Sequence, residues 1–201
     1  MDVFQAIRER RSIGRVKPDP ISRERIEQLL EAANWAPSHH ATEPWRFYVM
    51  TGAGRQRLGE AYADIAMQSV GGGAGAAVVS GAAEPTEAKQ AERAKHIAKA
   101  YRAPVVIAVS VSPSAKPGVN RIEEFAAAHC AVHNMLLAAH ALGLGAIWRS
   151  GEPMYHPRMK EAFGLADTEE LVALVYVGEP AVPQPECTRR PVQQKTVWLE
   201  E

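Results

Sequence analysis

Several things are scarce in this sequence. Two cysteines, Cys130 and Cys187, occur in 201 residues. They make neither a CxxC pair nor a zinc-ligand spacing, which excludes a disulfide framework and a thiolate–zinc centre. The expectation for both is a buried apolar thiol in a reducing compartment. An excess of charge of one sign is missing too. The 23 Lys and Arg balance the 23 Asp and Glu, so no overall field draws the chain to nucleic acid or an anionic membrane. No stretch approaches the roughly 18 apolar residues of a membrane span. The opening "MDVFQAIRERRS" lacks the apolar run of a secretory signal. No internal repeat, heptad array or linker composition is present. What remains, with 46% hydrophobic and 23% charged residues, is a globular chain. It reads as a single domain over residues 1–201, placed in the cytoplasm, with no nucleic-acid or membrane partner.

Hydrophobic periodicity predicts helices over residues 2–11, 22–35, 53–69, 86–101 and 121–143, with a short one at "PRMKEAFG". Ser22 stands where the second helix needs an N-cap, and Gly143 where the fifth needs a stop. The fifth, "RIEEFAAAHCAVHNMLLAAHALG", is apolar around much of its circumference and is expected to be buried. β-Branched and aromatic content predicts strands at "PWRFYVM", "APVVIAVSV" and "ELVALVYVGEP", with "GAIWRSG" a short strand or loop. Residues 70–85, small and glycine-rich, are expected to form a mobile loop. Helices and strands mix without βαβ alternation, which favours α+β. The proline-rich tail from 181 has no helix nearby to pack against.

Three clusters carry chemistry. Arg10, Arg11 and Ser12 lie at the end of the first helix, where guanidinium forks and a hydroxyl match a phosphate; cations at a helix C-terminus are also favoured by the macrodipole alone. The segment "NWAPSHHATEPWRFYV" sets Ser38, His39, His40, Thr42 and Glu43 between Pro37 and Pro44, which stiffen it, with Trp35 and Trp45 as flat faces. "GLGAIWRSG" combines close-approach glycines with Trp148, Arg149 and Ser150. Each also has a plain structural reading as a cap, a polar connection or a turn.

Together with "LVYVGEP" and "RRPVQQKTVWLEE", these segments occur in an order that resembles nitroreductase-family flavoproteins over nearly the whole chain. The resemblance is to the small branch of NAD(P)H nitroreductases with a WR(S/T)G segment. It implies a three-layer α-β-α fold with a central, mainly antiparallel sheet and a C-terminal tail exchanged in a homodimer. It implies FMN at the dimer interface, with NADH or NADPH as co-substrate. Arg10, Arg11, Ser12 and Arg189 then hold the phosphate and ribityl end. Trp148, Arg149 and Ser150 line the ring or ribityl side, and Trp35, Pro37, Ser38 and His39 come from the other subunit. Turnover is ping-pong, from NAD(P)H to nitroaromatic, quinone or similar acceptors, and no side chain is assigned as catalytic acid or base. The family's loop has Asn and Gln where this chain has Ala41 and Glu43.

Rival readings have less support. His129, His133 and His140 share a helical face but sit among Ala and Leu, so no metal is expected. "GGGAGA" at 71–76 matches a dinucleotide-binding fingerprint, yet "YADIAMQS" before it reads as helix, not strand. A non-catalytic flavin-storage dimer is the remaining alternative.

Overall fold

The computed structural model describes residues 1–71 and 86–200. Of the glycine-rich segment expected to be mobile, residues 72–85 lie outside the described residues, as does nearly all of its dinucleotide-like match, while residues 70 and 71 end a helix.

Four strands form one sheet: β1 (Trp45–Thr51), β2 (Val105–Val111), β3 (Gly145–Arg149) and β4 (Glu170–Gly178). Their order is β1-β2-β4-β3, and every neighbouring pair is antiparallel. β2 is buried along its whole length and β4 nearly so, because each is central and both sheet faces are covered. Helix α1 (Val3–Glu9) precedes the sheet. On one face lie α2 (Arg23–Asn34) and α5 (Arg121–Ala141). On the other lie α3 (Gln56–Gly71), α4 (Glu87–Ile97), α6 (Glu152–Tyr155) and α7 (Pro157–Phe163). Alternation along β2 makes the two layers. Val105, Ile107, Val109 and Val111 meet Leu29 of α2 and Met135 of α5. Val106 and Ala108 meet Leu58 of α3 and Phe163 of α7. This is the three-layer α-β-α arrangement the resemblance implies.

Local signals act as read. Ser22 caps α2, its hydroxyl accepting from the Arg25 N–H at 3.4 Å; Gly143 takes a positive φ of 74° just past α5. Two expectations fail. α5 is not covered all round: Ile122, Ala126, His129, Cys130 and His133 follow one another on an exposed stripe. Cys130 is therefore an exposed thiol, and Cys187, on the tail, is exposed as well. Burial was inferred from apolar content, but α5 packs through one side only.

The N-terminal segment runs along the β3 edge of the sheet. Ser12 bridges Ala146 in parallel, and the Ile13 N–H donates to the Ala146 carbonyl at 2.9 Å. Glycines admit it. A Cβ on Gly178 would stand 2.6 Å from the Val16 Cβ, and one on Gly145 would stand 3.0 Å from Ile13 Cγ2. The tail starts on the same track: the Ala181 N–H donates to the Arg15 carbonyl at 3.0 Å, and the Gln184 amide reaches the Glu9 carbonyl. Its first part thus packs locally, contrary to expectation, while Val197, Trp198 and Leu199 stay exposed.

Candidate active site

α1 ends at Glu9, so Arg10, Arg11 and Ser12 leave the helix and enter the edge segment together. Arg11 Nη1 donates to the Arg8 and Arg10 carbonyls at 2.7 and 2.9 Å, while its buried Nε has no partner. Arg10 is held below the usual arginine value by burial first, then by the charges of Arg11 and Arg189. The tail, tied at Ala181 and Gln184, carries Arg189 into that field. Among the described residues no carboxylate pairs with any of these three guanidiniums. Crowded cations beside a serine, without an acid, suit a multiply charged anion.

β3 leads away from Ser12. Arg149 stands three residues beyond Ala146, about 10 Å along the strand. Ile147 and Arg149 face the α3 side of the sheet and Trp148 the α5 side. The Trp148 indole N–H donates to the Val172 carbonyl at 3.1 Å, and its ring lies 5.5 Å from that of His129. The Arg149 guanidinium sits 5.5 Å from the Tyr176 ring centroid. Its Nη2 is 3.4 Å from where a Gly14 Cβ would be, and its buried Nε is unpartnered. Trp148, Arg149 and Ser150 line a cavity of about 540 Å³. The cavity is also lined by Tyr62 of α3, Tyr176 of β4, and Lys99 and Arg102 from the turn after α4. The two phenol oxygens are 3.2 Å apart. Burial pushes both phenols above their usual value, so they stay neutral.

The proline-bracketed loop is built stiffly. His40, Ala41 and Glu43 adopt positive φ of 59°, 49° and 46°. Ser38 Oγ accepts from the Glu43 N–H at 2.9 Å and lies 3.1 Å from Thr42 Oγ1. His39 Nδ1 meets Glu123 at 2.5 Å, and its ring stacks on His40 at 4.0 Å. Trp35 is 79% exposed. The loop feeds β1, at the opposite edge from β3, three inter-strand spacings or about 14 Å away. Among the described residues no hydrogen bond, ion pair or ring contact joins Trp35, Pro37, Ser38 or His39 to Arg10 or Arg149. One chain brings Arg10, Arg11, Ser12 and Arg189 together and sets Trp148, Arg149 and Ser150 further along β3; it leaves the loop apart.

The "Nitroreductase family" model matches residues 7–179. The chain belongs to the nitroreductase family. It is similar to the Escherichia coli K12 protein named "Putative NAD(P)H nitroreductase YdjA", 32% identical over 180 residues, 90% of this chain and 89% of that protein. The Bacillus subtilis protein "Putative NAD(P)H nitroreductase YfhC" is 30% identical over 190 residues, 94% of this chain and 90% of that one. Among solved structures, a nitroreductase-like family protein from Bacillus cereus superposes with a TM-score of 0.80 at 26% identity, covering 100% of this chain and 97% of that one. A Desulfovibrio desulfuricans structure, titled as a putative nitroreductase in complex with FMN, gives 0.71 at 30% identity, covering 100% and 98%.

Within this nitroreductase-family chain, Tyr62, Tyr176, Lys99 and Arg102 are the cavity residues that sequence reasoning missed. Tyr176 was hidden inside an apolar strand pattern. Lys99 and Arg102 were hidden in a helix-like run of ordinary surface composition. The only signal was two cations immediately before a fully buried strand. No group of His, Cys, Asp and Glu suited to a metal occurs among the described residues, and no helix among them is long and apolar enough to cross a membrane.

Proposed function

We propose that the protein is an FMN-dependent NAD(P)H oxidoreductase that works as a homodimer and reduces nitroaromatic, quinone or similar acceptors in ping-pong fashion. The observation that carries this reading is the run of unpaired cations at the end of α1, followed by a strand that presents Arg149 and Ser150 about 10 Å further on. The donor set fits the cofactor. Arg10, Arg11, Arg189 and Ser12 would hold the phosphate, and the orphaned Arg11 Nε is a buried donor that lacks an acceptor. Ser150 and the backbone N–H groups around Arg149–Gly151 would line the ring side and favour negative charge there. Trp148 contributes through its backbone and one edge, because its indole N–H is committed to Val172. When bound, FMN supplies the hydride chemistry between NAD(P)H and acceptor. The chain's residues bind, orient and shield; protons come from water.

Trp35, Pro37, Ser38 and His39 would complete the site from the second subunit. Uncovered apolar surface supports this. Val3, Phe4 and Ile7 of α1 are 59%, 71% and 53% exposed, beside the exposed stripe of α5. The tail residues Val197, Trp198 and Leu199 would close over the partner. We read the chain as a single domain, and its two exposed free thiols fit the reducing cytoplasm. The visible spectrum tests the proposal: purified protein should be yellow, and NADH or NADPH should bleach it anaerobically. Colourless protein that takes up no added FMN ends it.

A further inference from the structure

We propose that the cavity beneath Arg149 reads an anionic oxygen group, carboxylate or phosphate, on the molecule that exchanges at the site, with Lys99 and Arg102 as the side chains that meet it. The inference rests on reading Arg10, Arg11 and Arg189 as the holders of the FMN phosphate. That phosphate is then accounted for at the far end of β3, and a second cationic group remains without a counter-charge.

Among the described residues the cavity wall carries Lys99, Arg102 and Arg149 and no acid. Neighbouring cations on α4 are paired. Arg93 holds Asp64 at 2.9 Å and Glu60 at 2.7 Å, and Lys95 holds Glu92 at 3.3 Å. The cavity cations are not. Among the described residues Lys99 Nζ hydrogen-bonds only His96 Nδ1, at 2.8 Å, with Glu92 beyond that ring. Arg102 has neither hydrogen bond nor ion pair among the described residues, and Arg149 has an orphaned buried Nε. Burial and the charges of Arg102 and Lys95 depress the Lys99 ammonium, with Glu92 opposing. Cations gathered in a concave, partly desolvated wall focus a positive field, which draws an anion from solution. The neutral phenols Tyr62 and Tyr176 leave that field uncancelled and add hydroxyl donors. Neutral acceptors would gain a hydrogen bond from these side chains but no charge pairing, so their effect is selectivity for charge.

The test uses flavin-loaded protein and the variants Arg102→Gln and Lys99→Gln, with Lys95→Gln as a control that removes one charge from α4 outside the cavity. Benzoate, redox-inert and anionic, is titrated by calorimetry. Two matched pairs are then compared by kcat/KM: 4-nitrobenzoate against neutral 4-nitrobenzamide, and NADPH against NADH. Each cavity variant is expected to weaken benzoate about tenfold and to lower at least one charged-to-neutral ratio to a similar extent. A fall in the nitrobenzoate ratio places the anion on the acceptor; a fall in the NADPH ratio places it on the 2′-phosphate. The proposal is overturned by wild-type protein that does not bind benzoate, by a benzoate affinity that the cavity variants leave unchanged, by a loss that Lys95→Gln reproduces, by ratios that hold while benzoate weakens, or by charged and neutral substrates declining in step. Failure of the flavin reading would look different: no FMN uptake, and no oxidation of NAD(P)H with 4-nitrobenzamide by the wild type.

Discussion

The Thr42 hydroxyl donates to the Glu124 carboxylate at 2.5 Å, and Glu124 is 1% exposed. The same carboxylate accepts the Ser114 backbone N–H at 3.0 Å. One buried acid therefore ties the proline-bracketed loop and the turn after β2 to the first turn of α5. Glu124→Ala strands the Ser114 N–H and leaves the Thr42 hydroxyl only Ser38 Oγ at 3.1 Å and the His39 carbonyl at 3.4 Å, which costs about 2 kcal/mol. Urea unfolding should show a lower midpoint with an unchanged slope. Glu124→Gln, which keeps one acceptor oxygen, should lose less than Glu124→Ala.

Ala41 sits at a φ of 49°, where an L residue with a Cβ is strained and Gly or Asn is at ease. The resemblance implies Asn here, a residue at ease at positive φ, so Ala41 carries a physical cost. Ala41→Gly should stabilise by about 0.5–1 kcal/mol, and Ala41→Asn by a smaller amount. Thermal unfolding measures both. A lower melting temperature for Ala41→Gly would show that the loop does not hold this conformation in solution.

The type of most elements was legible because helical spacing and β-branched content follow burial, and the three layers were implied by the family resemblance. Residues 103–111 read as a buried strand, and β2 is buried throughout; Ser22 stood at an N-cap position and caps α2. The cationic cluster was legible as far as Arg10, Arg11 and Ser12, since local order placed them at a helix end. The approach of Arg189 depends on the tail's pairing with residues 15–17, which no local pattern encodes. The cationic cavity wall was illegible for the same reason: Tyr62, Lys99, Arg102 and Tyr176 come from three separate elements. The burial of Cys130 was misjudged because apolar content cannot tell which side of a helix lacks a neighbour.

Arg10→Gln and Arg189→Gln should each weaken FMN about tenfold to a hundredfold, since each removes a charge-assisted donor from the phosphate. Arg11→Gln should lose less, because two of its hydrogen bonds go to its own chain at Arg8 and Arg10. Titration of apoprotein with FMN, followed by quenching of flavin fluorescence, gives the three affinities. Inorganic phosphate should compete with FMN in the wild type and less well in Arg10→Gln.

Phe4 is 71% exposed on α1, and a homodimer is the cover proposed for it. Phe4→Glu puts a charge where apolar contact is expected and should shift the protein toward monomer in analytical ultracentrifugation. FMN affinity should fall with it, because the loop around His39 would no longer reach the cofactor. A Phe4→Glu dimer with wild-type FMN affinity would remove α1 from the interface.

Helix α4 has no fully buried side chain; besides the close seat of Ile97 on Gly59, its attachment to α3 uses charge. Arg93 donates to Asp64 at 2.9 Å and to Glu60 at 2.7 Å, and Arg158 of α7 donates to Asp64 at 2.9 Å. Burial pushes the Asp64 carboxyl up, but the hydrogen bonds and charges of Arg93 and Arg158 outweigh it and hold it below its ordinary value. A carboxylate depressed in the folded state binds its proton less readily there than in the unfolded chain. Its stabilisation is therefore full above the unfolded value, about 4, and is lost as pH falls through the lower folded value. At pH 7 Asp64→Asn should lower stability by about 1 kcal/mol, since the group is partly exposed and screened. The melting-temperature gap between wild type and Asp64→Asn should hold from pH 7 to about 5, shrink below about 4 and close at lower pH, and 1 M salt should narrow it at neutral pH. A gap that survives at pH 2 would assign the effect of Asp64 to packing instead of charge.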